Sequence, residues 1–317
     1  MNKAPLVSII LATYNRAGYI LESVMSIHSQ SFKDWECLII DDGGTDNTQH
    51  VLTDILLQDN RFHYLKRSSS YHKGLPGTRN YGLDLAKGEY IIFFDDDDIV
   101  HPLNLELCIK ELADEKISFC RYLRPVFTGD FDYNFDYSKE YTSFFIDKKD
   151  ICKMVKNELQ FNSCAVMWRS ICFKDNRFVE TLMYAEEWEL YSRILSCGFT
   201  GLSINKSLFY GRKHLASNTG EFYNNNSIRR ASYVEAILLV IRNLKKKNLL
   251  EYSLKRYFIT TSINFNEYNL FEKILNELEL HIVEKIKWKF FYSILPFRLF
   301  LYRIKNRLKK IMLVNLP

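Results

Sequence analysis

The sequence predicts an α/β protein: a mostly parallel sheet with helices on both faces, followed by a helical C-terminal region. Three observations predict it. Short apolar runs alternate with helix-period segments over the first hundred residues or so, the signature of strand–helix–strand units. Three of those runs end in polar clusters, at 13–16, 41–46 and 95–98. Beyond about residue 224 the periodicity is almost wholly helical. Ligands of such sheets bind outside the carboxyl ends of the strands, so the fold rule alone gathers the three clusters in one place.

The elements follow in order. Val7 to Ala12 is an apolar strand ending at Thr13-Tyr14-Asn15-Arg16, and Tyr19 to Gln30 carries Ile20, Val24 and Ile27 at helical spacing. Trp35 to Ile40 is a second strand, ending at Asp41-Asp42-Gly43-Gly44. Thr45 or Asp46 caps a helix with Val51, Leu52, Ile55 and Leu56 on one face, and Phe62 to Lys66 is a third strand. A polar loop from Ser68 to Gly77 leads into a helix from Thr78 to Ala86, then a fourth strand from Tyr90 to Phe94. Pro102 opens a helix to about Ala113. Residues 118–150 are rich in Phe and Tyr and weakly periodic. A helix near Lys148–Leu159, a strand from Phe161 to Arg169, a strong helix from Glu186 to Cys197 stopped by Gly198, and a strand from Thr200 to Tyr210 complete the body. The expected division is a domain over 1–222 and a helical region over 223–317.

The most telling stretch is Gly88-Glu89-Tyr90-Ile91-Ile92-Phe93-Phe94-Asp95-Asp96-Asp97-Asp98. A buried strand delivers four adjacent carboxylates to one point. Their mutual repulsion calls for a counter-charge, and a divalent cation with oxygen ligands is the simplest. Such a cation would clamp a diphosphate and neutralise a departing phosphate. The plainer reading is a solvated acidic turn, which the apolar strand before it argues against. Asp41-Asp42 at a strand end can accept a hydrogen bond from a base or ribose. Tyr14 offers a face for stacking a base, and Arg79, at a helix start after a glycine loop, suits a phosphate. Glu187 shares its helical face with Leu190, Tyr191 and Ile194. A carboxylate held against apolar surface has a raised pKa, which suits a general base.

Together these motifs resemble a family 2 glycosyltransferase of GT-A fold, a Rossmann-like, mostly parallel mixed sheet between helices. The match runs through Val7–Arg16, Ile39–Asp46, Gly77-Thr78-Arg79-Asn80-Tyr81-Gly82, Gly88–Asp98, Glu186-Glu187-Trp188-Glu189-Leu190 and Tyr210-Gly211-Arg212-Lys213-His214, roughly residues 5–220. The resemblance implies an inverting, metal-dependent enzyme that moves a sugar from a UDP-sugar to an acceptor hydroxyl. Tyr14 would stack on uracil with Ala12 lining the pocket and Arg16 beside them. Asp42 would bind the base, Arg79 the nucleotide, and Asp96 would lie near the ribose. Asp95 and Asp97 match the family's D-x-D. Asp97, with Asp95 and His214, would hold Mn²⁺ or Mg²⁺. Glu187 would deprotonate the acceptor, with Glu186 as the alternative, because Glu-Glu stands where the family usually has Glu-Asp. Gly44 stands where Ser is usual. The implied acceptor is a lipid-linked or growing surface polysaccharide of O-antigen, capsule or lipopolysaccharide type.

Two other classes share some of these features. A sugar nucleotidylyltransferase would show a Gly-rich basic loop after the first strand, where this chain has Ala12-Thr13-Tyr14-Asn15-Arg16-Ala17-Gly18. A non-catalytic nucleotide-binding or receiver module would not need Asp95–Asp98 together with Glu187.

Net charge is +5, but the stretch from Lys285 to the end holds nine Lys/Arg and no Asp/Glu, which leaves the rest at −4. Basic character therefore belongs to the tail, and nucleic acid is not an expected partner. In that tail Phe297, Phe300, Leu301, Ile304, Leu308, Ile311 and Met312 share a helical face, with Arg298, Arg303, Lys305, Arg307, Lys309 and Lys310 on much of the rest. Trp288, Phe290, Phe291 and Tyr292 precede it. This reads as a basic amphipathic helix on an anionic membrane surface, spanning 285–317; packing on the enzyme body or a partner is the alternative. Seven scattered cysteines without a CxxC pair read as reduced thiols. Val7–Leu11 is too short for a secretory leader, and no apolar run of about 18 residues predicts a membrane span. The expected location is cytoplasmic, peripheral on the inner face of the cytoplasmic membrane.

Overall fold

The computed structural model describes residues 4–213, 218–265 and 268–314. Two compact units divide at Leu249/Leu250. The first is built on an eight-stranded sheet of order β3-β2-β1-β4-β9-β6-β10-β8. Its strands are β1 (Val7–Thr13), β2 (Trp35–Asp41), β3 (Phe62–Lys66), β4 (Tyr90–Asp95), β6 (Phe119–Leu123), β8 (Ser143–Ile146), β9 (Val166–Arg169) and β10 (Gly201–Ser207). Strands β3, β2, β1 and β4 run parallel, and β9 lies antiparallel between β4 and β6. A three-stranded sheet of β5 (Ile99–Val100), β11 (Phe209–Arg212) and β7 (Val126–Phe127) adjoins the acidic turn.

Both faces of the parallel strands are covered, which is why β1 reads as a continuous apolar run. Val7, Ile9 and Leu11 join a core with Ile20, Val24 and Ile27 of α1 (Ile20–His28) and with Leu105, Leu107 and Leu112 of α5 (Asn104–Leu112). On the other face, Gly82 of α4 (Leu75–Leu85) lies so close to β1 that an added Cβ would sit 2.5 Å from Ile10 Cγ2. The expected helix after Asp46 is broken into α2 (Thr48–Val51) and α3 (Thr53–Gln58). Helix α4 begins at Leu75, before the expected Thr78, because Pro76 sits in its first turn, where its fixed φ is already helical. The expected strand over 161–169 is shorter, since Ser163–Ala165 forms a 3-10 turn capped by Asn162. The helix near 148–159 is reduced to a 3-10 turn and α6 (Ile151–Val155).

Helix α7 (Glu186–Ser196), α8 (Asn218–Tyr223) and α9 (Ser227–Lys246) complete the first unit. The second unit is all-helical: α10 (Tyr252–Asn264), α11 (Tyr268–Glu277) and α12 (Ile282–Val314). Leu254, Phe258, Phe271, Ile274 and Leu275 are buried, and Phe271 stacks on Tyr292 at 4.3 Å between centroids. Among the described residues no helix is long and apolar enough to cross a membrane.

Candidate active site

The register of the parallel strands brings the polar clusters together. Thr13 stands opposite Asp41, and Ala12 stands opposite both Ile40 and Asp95. Ala12 is thus buried at the point where three strand ends meet. Beyond it Tyr14 is 45% exposed, with Lys73 Nζ 4.7 Å over its ring. Asn15 adopts φ 52°, and its Oδ1 accepts from Thr45 N at 2.7 Å and Asp46 N at 3.2 Å. That side chain, with Ala17 N donating to Asp46 Oδ2 at 3.0 Å, stitches together the loops after β1 and β2. Asp42 is buried and accepts from Gly74 N at 2.9 Å and from Arg67 Nε. Arg67 was not a sequence candidate, although it follows the last residue of β3 and the strand-end rule extends to it.

The four carboxylates after β4 have different surroundings. Asp95 is about a third exposed, at 33% of its side chain. Asp96 is buried and lies 3.4 Å from Arg16 Nε; burial first, then Asp97, pushes its pKa up to about 7. Asp97 Oδ2 lies 3.8 Å from Arg16 Nη2. Asp98 accepts from Arg124 Nη2 and from the Arg212 backbone N–H, both at 2.7 Å. Burial nevertheless carries it up to about 8, against the pull of Arg124. Arg16 therefore sits among the acids.

Arg79 joins this cluster to the glutamates. Its side chain is 1% exposed; Nη2 donates to Asp95 Oδ1 at 2.9 Å and to Ser163 Oγ at 3.2 Å, and Nη1 lies 3.7 Å from Glu186 Oε1. Nε and Nη1 are buried without a hydrogen-bond acceptor. Burial works against its charge, and Asp95 leads the groups that outweigh that penalty. Its guanidinium thus reaches the site through Asp95 and Glu186, from behind.

Helix α7 starts abruptly. Ala185, the residue before it, has φ 61° and ψ 24°, a left-handed conformation that costs an alanine about 1–2 kcal/mol. The bend aims Glu186 and Glu187 back toward Arg79. Glu186 is 5% exposed, and burial, then Glu187, raises its pKa to about 8. Glu187 is half-buried, and burial raises it too, with Arg79 opposing.

The structure thus brings Ala12, Tyr14, Arg16, Asp42, Asp95, Asp96 and Asp97 to one end of the sheet, and links them to Glu186 and Glu187 through Arg79. His214 lies outside the described residues. Arg67, Ser163, Arg124 and Ala185 are further participants. Only Arg67 carried a usable signal: Arg124 lies in the region of weak periodicity, Ala185 in a loop, and Ser163 in a 3-10 turn where the sequence predicts strand.

The donor set suits a hard dication. Asp95 and Asp97 supply carboxylate oxygens at the accessible end of the cluster. Asp95, Asp98 and Cys164 place ligand atoms within 4.8 Å of one another, but Asp98 is engaged by Arg124 and Arg212. Burial holds the Cys164 thiol protonated, and sulfur is a poor partner for Mg²⁺ or Mn²⁺. Burial raises Asp96 and Asp98 most, and the neighbouring carboxylates add to it; that added repulsion is what a dication would relieve.

A family model described as "Glycosyl transferase family 2" matches residues 8–173. Glycosyltransferase GlyG of Streptococcus pneumoniae is 31% identical over 147 residues, 46% of each chain. The Escherichia coli UDP-Glc:alpha-D-GlcNAc-diphosphoundecaprenol beta-1,3-glucosyltransferase WfgD is 38% identical over 114 residues, 36% of this chain and 44% of that one. The chain thus spans less than half the length of these curated relatives. Staphylococcus aureus TarS 1–349 in complex with UDP-GlcNAc superposes with a TM-score of 0.66 at 19% identity, over 86% of this chain and 79% of that one. The mannosyltransferase PcManGT of Pyrobaculum calidifontis, in complex with GDP-Man and Mn²⁺, gives a TM-score of 0.55 at 15% identity, over 92% and 84%. At these identities the structural likeness speaks to the fold, which is GT-A.

Proposed function

The chain belongs to glycosyltransferase family 2, and from that premise we propose that it transfers a sugar, with inversion, from a UDP-sugar to an acceptor hydroxyl on a lipid-linked or growing surface polysaccharide. One observation carries the reading. Arg79 touches Asp95 at 2.9 Å and lies 3.7 Å from Glu186, so one buried guanidinium links the acidic quartet to the glutamate pair, which supports reading the two as parts of one cleft. The names of WfgD and of the TarS complex support UDP as the nucleotide, and WfgD's name supports a polyprenyl-diphosphate-linked acceptor.

Tyr14, exposed at the end of β1, offers its ring to uracil, and Asp42, fixed by Arg67 and Gly74, faces the base. Arg16 lies beside the diphosphate, and Asp96 faces the ribose. Asp95 and Asp97 would hold Mn²⁺ or Mg²⁺, which supplies charge neutralisation to the leaving diphosphate. Glu187 accepts the acceptor's hydroxyl proton as that oxygen attacks the anomeric carbon. The bond from that carbon to the diphosphate oxygen breaks, and UDP leaves with the electron pair. Attack from the face opposite UDP inverts the centre. Arg79 keeps Glu186 and Asp95 in register behind the reacting groups.

The test is a screen of UDP-, GDP- and dTDP-sugars with the purified protein, with Mn²⁺ and with chelator, reading released nucleoside diphosphate. UDP release that needs the cation supports the reading. Release from none of the donors under either condition would refute it. For location, we place the protein on the inner face of the cytoplasmic membrane through residues 285–317, on the charge and exposed apolar side chains of α12.

A further inference from the structure

The segment between β7 and β8 contains Phe131-Asp132-Tyr133-Asn134-Phe135-Asp136-Tyr137, aromatic residues alternating with acids and an amide. It has no regular secondary structure, yet it is held at both ends and in the middle. Arg212 Nη1 donates to Gly129 O at 2.8 Å, Tyr133 OH donates to Glu22 Oε1 at 2.6 Å, and His101 Nε2 lies 3.1 Å from Asp136 O. Lys206 pairs with the Asp136 carboxylate. Phe131 and Phe135 pack on Tyr210 at 4.8 and 5.8 Å between centroids. They form the inner row of an aromatic cluster. Tyr133 and Tyr137 form its outer row, each 6.2 Å from Phe135, and remain 49% and 59% exposed.

This strap is continuous with the acidic turn. Tyr210 pairs in β11 with Ile99, the residue after Asp98. Arg212, two residues on, donates from Nε to Asp97 O at 2.9 Å and from Nη1 to Gly129 O. One guanidinium therefore ties the strap to the backbone of the D-x-D motif. Tyr133 sits at φ 54°, a conformation that a bulky residue adopts only where its surroundings impose it.

We propose that the outer row of this strap, Tyr133 and Tyr137, is a binding platform for an uncharged saccharide ring of the acceptor. The proposal deepens the reading of the cleft as a glycosyl-transfer site and rests on it. The C–H face of a pyranose stacks on an exposed aromatic face, and its hydroxyls hydrogen-bond to carboxylate and amide oxygens. Asp132 and Asn134 are exposed and flank Tyr133, supplying those oxygens. Residues 128–137 hold three Asp and no Lys or Arg. Lys206 offsets Asp136, but the exposed Asp130 and Asp132 still oppose a phosphate, a nucleic acid or an acidic glycan, and leave a neutral sugar as the fitting occupant.

The test is saturation-transfer NMR and titration of the full chain with cellobiose, chitobiose and lactose. Stacking reads a ring face rather than one hydroxyl pattern, so at least one of the three binds in the millimolar range. Tyr137→Ala and Tyr133→Ala each weaken that binding about three- to tenfold, and Tyr137→Phe, which keeps the ring, binds within about twofold of wild type. Absence of binding to all three sugars, alanine variants that bind like wild type, or a Tyr137→Phe loss as large as that of Tyr137→Ala overturns the proposal. The tyrosines are 49% and 59% exposed, outside the buried core, so thermal melts should stay near wild type. UDP with Mn²⁺ is titrated into the wild-type protein separately. Sugar binding without UDP binding counts against the donor site, and UDP binding without sugar binding counts against the strap.

Discussion

Glu186 and Glu187 are neighbours in the chain with different surroundings, and the proposed mechanism draws their roles from that difference. Glu186 is the more buried and lies 3.7 Å from Arg79, while Glu187 is only half-buried. Glu187→Gln should lower the rate of transfer about 10²- to 10⁴-fold, the usual worth of a general base, with UDP-sugar affinity near wild type. Glu186→Gln should cost less. Product formation and donor titration measure both, and the opposite ranking would move the base to Glu186. Burial raises both carboxyls, so under the proposed mechanism a base at either position would be protonated and idle over part of the acidic range. The rate therefore rises with pH, and the acid limb sits above the ordinary glutamate range near 4.3. Arg79 opposes that rise in both groups. Replacing it by Met should carry the limb to still higher pH, checked on protein whose circular dichroism is native. An unmoved limb would separate Arg79 from the base.

Helix α4 explains why Gly77 and Gly82 flank Arg79 in the motif. A Cβ at Gly77 would lie 2.0 Å from His72 O, and one at Gly82 would meet Ile10 on β1. The helix that carries Arg79 is pressed onto β1, the strand that carries Ala12 and leads into Tyr14. Gly82→Ala should cost about 1–3 kcal/mol through overpacking, seen as a lower melting temperature, and a melt equal to wild type would show that the contact can relax. The first four strands were legible because each is a compact apolar run with a polar end. The elements of 118–150 were not. Strand β8 is an edge strand with three of its four residues exposed, so it has no buried face to impose alternation. Site carboxylates were legible because they stand side by side in sequence. The Arg124–Asp98 pair and the Arg79–Ser163 bond join residues 26 and 84 positions apart, and no local pattern announces them. Pairing of two glutamates at 186–187 marked the helix start, but the left-handed Ala185 that aims them carries no signature, since alanine seldom adopts that conformation.

At the scale of the whole chain, charge and exposed apolar surface are distributed unequally. The stretch from Lys285 onward holds nine Lys/Arg and no Asp/Glu, against a net −4 for the rest. Helix α12 leaves Ile282, Val283, Ile286, Phe290, Phe297, Phe300 and Leu301 exposed. At helical periodicity these seven fall within about 100° of arc, a single apolar stripe. The other half of the expected amphipathic face, with its basic partners at 303–310, has side chains outside the described residues. A stripe this long beside lysines and arginines is the pattern of a helix lying in a lipid interface, where each basic residue adds about 1 kcal/mol on an anionic surface. The full chain should therefore co-sediment with vesicles of phosphatidylcholine and phosphatidylglycerol, less with phosphatidylcholine alone, and less again as salt is raised. Replacing Ile286, Phe290 and Phe297 together by Ser removes apolar contact without touching the buried core, because all three are more than half exposed. That variant should lose most of its sedimentation while its melting temperature holds. Equal sedimentation of variant and wild type would take the stripe out of membrane binding, and the proposed acceptor would then have to be reached without the enzyme being held at the membrane by this face of the helix.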